Sequence, residues 1–166
     1  MNATTLRTLA ASAALAVSIG TADTLTWIGG SSGLLSASSN WTSSGNHSSP
    51  QPGDTCVFPS SAVTLEEETF DFGSGGLTFE NSATLTVLTH FAGSGGITKR
   101  GGGDLAVKNT TAGTFTGDVT IEAGRLLANS GGGVQFGLGT IVFTESSTSH
   151  AFMRGDGWGV DRQERP

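Results

Sequence analysis

The sequence predicts an all-β protein built as a parallel β-solenoid, in which short strands stack coil upon coil. Three observations predict it. Gly, Ser and Thr together make up about 42% of the 166 residues, while charged residues are only 13%. Short runs such as Leu85-Thr86-Val87 alternate apolar with small or polar residues, which is the period of a half-buried strand. A Gly-rich segment also recurs at an offset of 20 residues.

Composition and charge exclude several other classes. Gly, Ser and Thr form helices less readily than Ala, which disfavours a helical bundle, and Gly lacks the three-residue period of collagen. A disordered linker would carry more charge and fewer β-branched residues. The formal net charge is −6, and the densest basic segment is the pair Lys99-Arg100, so no nucleic-acid partner is expected. Cys56 lies in a strand-like run and is predicted to be buried and inert.

Residues 1–22 are typical of a secretory signal peptide. Arg7 precedes an apolar segment from Leu9 to Ile19, and the small residues that end at Ala22 predict cleavage before Asp23. The alternative is a short buried helix. The apolar segment is too short to span a membrane, and no later segment is apolar enough to do so. The mature chain is therefore expected to be exported, without a membrane span, and to be extracellular or at the cell surface.

The chain contains an internal repeat. Residues 73–87 align with residues 93–107 without a gap, and seven of the fifteen positions are identical. In a weaker third copy, Gly113 is predicted to continue the series of first glycines, and Leu127 is predicted to follow Val107. The regular spacing indicates that each copy is one coil.

The repeat explains the composition. Glycines at the corners supply tight turns, apolar side chains stack inward from coil to coil, and Thr favours strands on the outer face while remaining wettable. Charges are expected to be sparse because equivalent positions lie above one another, where like charges repel. One coil cannot bury its inner face alone, and the mature length leaves room for roughly six or seven coils.

Residues 93–127 resemble the autotransporter-associated β-strand repeat. The family pattern runs Gly-Gly-hydrophobic-Thr-Lys, then Gly-x-Gly-x-Leu-x-Leu, Thr-aromatic-Thr-Gly, a strand, and Ala-Gly-x-Leu. Phe115 stands where Tyr is usual, and Asp104 stands where Thr is usual. The matching positions are Gly95, Gly96, Ile97, Thr98, Lys99, Gly101, Gly103, Leu105, Thr116, Gly117, Ala123, Gly124 and Leu126.

The resemblance implies a right-handed parallel β-helix with a pectin-lyase-like fold. It also implies a passenger segment of a bacterial surface or secreted protein, with a structural or adhesive role. Complete family members often carry further repeats and a C-terminal outer-membrane barrel, so this chain is expected to be truncated or part of a longer protein. Partners implied are the outer-membrane export machinery of a longer parent and surface glycans or other cell-surface proteins.

The sequence divides into four parts. After the signal peptide come an N-terminal cap with the first coils (23–72), the solenoid repeats (73–152) and an irregular polar tail (153–166). Trp27 and Trp41 flank a Ser/Gly-rich loop in the cap. They are predicted to cover the end of the apolar stack, because terminal solenoid repeats are usually atypical. The alternative is an adhesion module in which the two rings form a platform that stacks on glycans.

Catalytic and metal-binding motifs are not found. His47, His90 and His150 are isolated from other ligands by spacing. The acidic run 66–68 is interpreted as a solvated turn, with a weak calcium site as the alternative. No catalytic residue, cofactor or metal is therefore predicted.

The leading hypothesis is a non-enzymatic exported segment. The alternative is a carbohydrate-binding or polysaccharide-degrading β-helix, which would need clustered carboxylates on one face. Asp104 beside Lys99 and Arg100 is the candidate trio for such chemistry.

Overall fold

The computed structural model of the chain describes residues 21–108, 114–128 and 139–144. These residues are nearly all strand or turn, with one 3-10 turn at Ser38–Asn40. The strands are β1 (Thr24–Trp27), β2 (Ser32–Gly33), β3 (Trp41–Ser43), β4 (Thr55–Val57), β5 (Val63–Leu65), β6 (Thr69–Asp71), β7 (Leu77–Glu80), β8 (Leu85–Val87), β9 (His90–Ala92), β10 (Ile97–Arg100), β11 (Asp104–Val107), β12 (Val119–Ile121), β13 (Arg125–Ala128) and β14 (Ile141–Phe143).

The strands form three parallel sheets that the chain visits in turn. The first has the order β14-β12-β10-β7-β4-β1-β3, and only its edge strand β3 runs antiparallel, against β1. The second has the order β13-β11-β8-β5-β2. The third pairs β6 with β9 and continues in a parallel bridge between Gly93 and Phe115. Because each strand pairs with its equivalent one coil away, the molecule is a β-solenoid, as the sequence predicts.

Three consecutive coils pair on all three faces. They are β4-β5-β6, β7-β8-β9, and β10-β11 with the bridge at Phe115. The strands β1 and β2 precede them, and β12, β13 and β14 extend the first two sheets beyond them. The described residues therefore contain fewer complete coils than the six or seven for which the length leaves room.

The register confirms the repeat that the sequence shows. Leu77 lies opposite Ile97 in the first sheet, and Leu85 lies opposite Leu105 in the second. Both pairs are separated by the 20 residues of the ungapped alignment. The two copies are therefore successive coils with equivalent residues stacked directly on one another.

The third copy is shifted by one residue from its predicted register. Leu126 pairs with Leu105, and Leu127 lies opposite Ala106 rather than Val107. The reason is a coil in which seven residues rather than eight separate the first strand from the second. Because side chains alternate between faces, Leu126 is the buried one. Gly113 lies outside the described residues.

The interior consists of columns of side chains that run along the stack. In the second sheet one column is Val63, Leu85, Leu105 and Leu126, and all four are buried. Cys56 occupies a column of the first sheet and is fully buried, as predicted. Burial raises the pKa of its thiol well above the usual value, so it stays protonated and unreactive.

Glycines at the corners allow the backbone of one coil to lie against the backbone of the next. A Cβ at Gly103 would overlap the backbone of Ala83, and a Cβ at Gly117 would overlap the carbonyl of Gly95. The chain turns with positive φ at Gly101 and at its counterpart on the next coil (φ 76° and 77°). Corner glycines therefore serve close stacking as well as backbone turning.

The motif residues separate into three groups in the fold. Thr98 lies outward between Thr78 and Thr120 of the neighbouring coils, and the backbone N–H of Thr116 donates to the carbonyl of Gly93 at 2.9 Å. The inward residues are Ile97, Lys99, Leu105 and Leu126. The corner residues are Gly95, Gly96, Gly101, Gly103, Gly117, Ala123 and Gly124.

Candidate functional site

A cluster of polar side chains lies at the N-terminal end of the solenoid. Asp23 precedes β1 and Asp54 precedes β4, and these two strands are parallel neighbours in register. Their carboxylates are therefore placed side by side. Ser43 ends the antiparallel edge strand, and His47 follows in the loop that leads to β4. Strand pairing thus assembles groups that are up to 31 residues apart in the sequence.

The carboxylate of Asp54 is the centre of this cluster and is fully buried. Its Oδ1 accepts the backbone N–H of Asp23 at 2.7 Å, and its Oδ2 accepts the backbone N–H of Gln51 at 2.8 Å. The Nδ1 of His47 lies 2.9 Å from Oδ2 and 3.0 Å from Oδ1. Because a carboxylate only accepts hydrogen bonds, the imidazole carries a proton on Nδ1.

Asp23 is held by its main chain and its side chain together. Its carboxylate accepts the backbone N–H of His47 at 2.7 Å, which is the main cause of the lowered pKa of this group. Its carbonyl accepts the N–H of Thr55 at 2.9 Å. A Cβ on Gly45 would collide with the carboxylate. These contacts make Asp23 the anchored first residue of the fold's N-terminal end.

The geometry of the cluster is that of a clamp rather than of an activated nucleophile. The Oγ of Ser43 accepts the N–H of Gly45 at 3.0 Å and lies 3.5 Å from the carboxylate of Asp23. The imidazole of His47 instead faces Asp54 through Nδ1. Within the described ranges, no group of three or more His, Cys, Asp or Glu is arranged to hold a metal.

The two tryptophans of the cap are buried inside the same end of the stack. Trp27 and Trp41 are 4% and 5% exposed and meet edge to face, with ring centroids 5.0 Å apart. Each indole N–H donates to a backbone carbonyl at 2.8 Å, that of Gly30 for the first ring and that of Leu35 for the second. Their burial against Phe58 fits the predicted role as a cover and disfavours a platform for sugars, which needs exposed ring faces.

Sequence reasoning missed a buried cation in the core. Lys99 lies in register between Phe79 and Ile121 in an inward column, and its side chain is fully buried. The ungapped alignment already places Lys99 opposite Phe79. That match was the available signal, because side chains at equivalent positions of stacked coils point the same way.

The ammonium of Lys99 binds the backbone of two successive corners. Its Nζ donates to the carbonyls of Arg100 and Gly101 at 2.6 Å each, and to that of Ala123 at 3.2 Å. A Cβ on Gly124 would approach the same Nζ to 2.9 Å. The lysine therefore joins one coil to the next, which is a structural role for the Lys of the repeat motif.

Burial has a cost for this cation. Desolvation lowers the pKa of Lys99 to about 8, although the negative charges of Asp104 and Glu80 oppose the shift. The group therefore changes charge within an experimentally accessible pH range.

The candidate trio is not brought together as a site. Arg100 pairs with Glu122 through Nε and Oε2 at 2.7 Å, and Asp104 pairs with Arg125 through two hydrogen bonds of 2.7 and 2.6 Å. Lys99 points into the core instead. Charges of opposite sign thus stack from coil to coil, which extends the prediction that like charges would avoid stacking.

Reversing one of these charges should weaken the stack slightly. We expect Arg125→Glu to lower the melting temperature by about 3 °C at low salt, because two carboxylates would then face each other. Screening should shrink the loss in 0.5 M NaCl. The combined change Asp104→Arg with Arg125→Asp should restore most of it, as thermal melts at both salt concentrations would show. A loss that is equal at both concentrations would contradict an electrostatic cause.

The remaining candidates of the sequence are surface contacts. The Nε2 of His90 lies 3.5 Å from the carboxylate of Glu67. Glu68 accepts the backbone N–H of Ser36 at 3.0 Å and also binds its hydroxyl. The acidic run therefore forms part of a surface corner, and His150 lies outside the described residues.

Comparisons with known proteins identify no relative. Scans against protein-family models, curated proteins and solved structures find no match to this chain. Among the residues that the structure describes, no helix has the length and apolar character that a membrane crossing requires.

Proposed function

We propose that this chain is a non-enzymatic, exported β-solenoid passenger segment of a bacterial surface or secreted protein, with a structural or adhesive role. The observation that carries the proposal is the difference between the two ends of the stack. The first end is covered by the antiparallel strand β3 and by the buried rings of Trp27 and Trp41. In β14, the last strand described, Val142 and Phe143 are 42% and 39% exposed.

An apolar rung of this kind is a surface that another coil would cover, because solenoids gain stability by adding neighbours. This supports a segment of an extended solenoid, as the resemblance to autotransporter-associated repeats implies. The outer faces carry threonines and paired charges, which suit contact with surface glycans or cell-surface proteins. Export machinery of the outer membrane is the partner expected for a longer parent.

The described carboxylates support the non-enzymatic alternative of the two hypotheses. Asp54 and Asp23 bind backbone N–H groups, Asp104 binds Arg125, and Glu122 binds Arg100. A polysaccharide-degrading site needs carboxylates that converge on a substrate groove.

Export can be tested with the full chain carrying a C-terminal tag in a Gram-negative host. We expect the tagged protein outside the inner membrane, shortened by residues 1–22, because the leader has an apolar segment of the required length. The control Leu15→Arg, which places a charge in that segment, should stay in the cytoplasm at full mass. Recovery of both proteins in the cytoplasm would overturn export.

The non-enzymatic assignment has its own measurement. The purified chain should release no new reducing or unsaturated ends from a panel of neutral and acidic polysaccharides. Product release that scales with protein concentration would establish the carbohydrate-active alternative instead.

A further inference from the structure

We propose that removal of residues 1–22 creates an α-ammonium group on Asp23 that forms an ion pair with the buried carboxylate of Asp54, so that processing locks the N-terminal end of the solenoid. The inference rests on the proposed export. It assigns a structural purpose to one peptide bond, that between Ala22 and Asp23.

The position of the nitrogen carries the inference. The backbone nitrogen of Asp23 already lies 2.7 Å from Oδ1 of Asp54. Hydrogen bonds from Thr55 to its carbonyl and from His47 to its carboxylate hold the residue on either side of that nitrogen. Cleavage would therefore change the charge of the nitrogen without requiring it to move.

The preceding residue is placed differently. Ala22 is exposed, whereas Asp23 is 7% exposed and Asp54 is fully buried. The boundary between the exposed residue and the anchored residue coincides with the cleavage site that the sequence predicts. The bond that would be cut thus joins a residue outside the clamp to the first residue within it.

The charge of the cluster supplies the driving force. Two carboxylates, those of Asp23 and Asp54, face a single imidazole, that of His47. A buried carboxylate is stabilised by a cation that can approach it closely. The α-ammonium would bring a positive charge and two additional donors to this site, and a hydrogen bond to a charged donor is about twice as strong as one to a neutral amide.

The test compares two chains that differ by one residue. A cleavable fusion would release either the processed chain, which begins at Asp23, or a chain that begins at Ala22 and so retains a neutral amide at Asp23. We expect the unfolding equilibrium constant of the longer chain to be about fivefold higher at pH 7, because a charge-assisted bond replaces a neutral one only in the processed chain. Equal stabilities would overturn the proposal.

Two variants of each chain separate the ion pair from other effects of length. Asp54→Asn keeps the shape but removes the charge, so the difference between the two chains should disappear. Glu66→Gln removes an exposed carboxylate elsewhere and should leave the difference intact. A difference that survives in Asp54→Asn would show that the carboxylate is not the partner.

A pH series gives an answer even if Asp54→Asn fails to fold. Pairing with a carboxylate raises the pKa of an α-ammonium above its usual value of about 7.7 to 8.0. The advantage of the processed chain should therefore be complete below pH 7 and be lost as the pH rises through the raised pKa. The facing groups Asp23, His47 and Asp54 are present in both chains, as is Lys99. An advantage that is independent of pH would overturn the ion pair.

The mass of exported material separates this inference from the proposed function. Export with cleavage at a different bond would overturn the inference and leave the proposed function standing. A chain that is not exported but shows the difference between the two fusion products would retain the ion pair and overturn the export.

Discussion

Replacing Gly103 with Ala should destabilise the solenoid by about 3 kcal/mol, whereas the same change at the adjacent Gly102 should cost less than about 0.5 kcal/mol. A Cβ at Gly103 would overlap the backbone nitrogen, carbon and oxygen of Ala83 on the preceding coil. The corner has little freedom to move away, because the N–H of Gly103 donates to the carbonyl of Asn81 at 3.0 Å. A Cβ at Gly102 would meet nothing within 4 Å.

Urea denaturation followed by far-UV circular dichroism would measure both variants. The pair is matched, since the unfolded chains are almost identical and the entropy that Ala removes from the unfolded state is the same. We expect Gly101→Ala to be destabilising as well, because φ is 76° there and a Cβ would also meet Asn81. Equal midpoints for Gly102→Ala and Gly103→Ala would show that the coils are not stacked as closely as described.

The solenoid and its central register could be predicted because both depend on local pattern. The pairs Leu77 with Ile97 and Leu85 with Leu105 follow from an ungapped repeat, in which equal spacing forces equivalent residues to stack. The register fails at Leu127, where one residue fewer separates the two strands. Drift in the third copy hid that deletion, and a slip of one residue exchanges the inward and outward faces.

The clamp at the N-terminal end could not be predicted in the same way. Asp23, His47 and Asp54 lie outside the repeat and have no period relative to one another. They meet because β1 pairs with β4 on one side and with β3 on the other. Pairing over such distances depends on the tertiary fold, and spacing along the chain carries no record of it.

Lys99 shows a different limit of sequence reasoning. A lysine beside an arginine indicates a solvated strand end, since buried charges are rare. The corner carbonyls of Arg100, Gly101 and Ala123 overcome that preference by replacing the water around the ammonium. The closeness of these carbonyls depends on the glycine corners, so the buried cation and the glycine content have a common origin.

Lys99→Met should destabilise the protein by about 2 kcal/mol at pH 7, and the deficit should grow with pH. Met keeps the apolar stem but leaves the carbonyls that Nζ bound without a donor, which is the more costly change in a buried site. The matched control is Lys108→Met, since the side chain of Lys108 is exposed and its removal should cost less than about 0.5 kcal/mol.

The pH dependence follows from the sign of the pKa shift. The pKa of Lys99 falls from 10.5 to about 8 in the folded protein, so between these values the unfolded state binds more protons and stability rises with pH. This stability is complete above pH 10.5 and is lost as the pH falls through 8. The wild type should therefore gain about 2 to 3 kcal/mol relative to Lys99→Met between pH 7.5 and 10.5.

Comparison with the variant also removes the contribution of Cys56. Because burial raises the pKa of that thiol, the unfolded state releases its proton first, and stability from this group falls as the solution becomes alkaline. Both proteins contain Cys56, so its effect cancels in their difference, which urea titrations at each pH would measure. A difference that stays flat or narrows with rising pH would mean that the ammonium of Lys99 is not held in the desolvated position between the two corners.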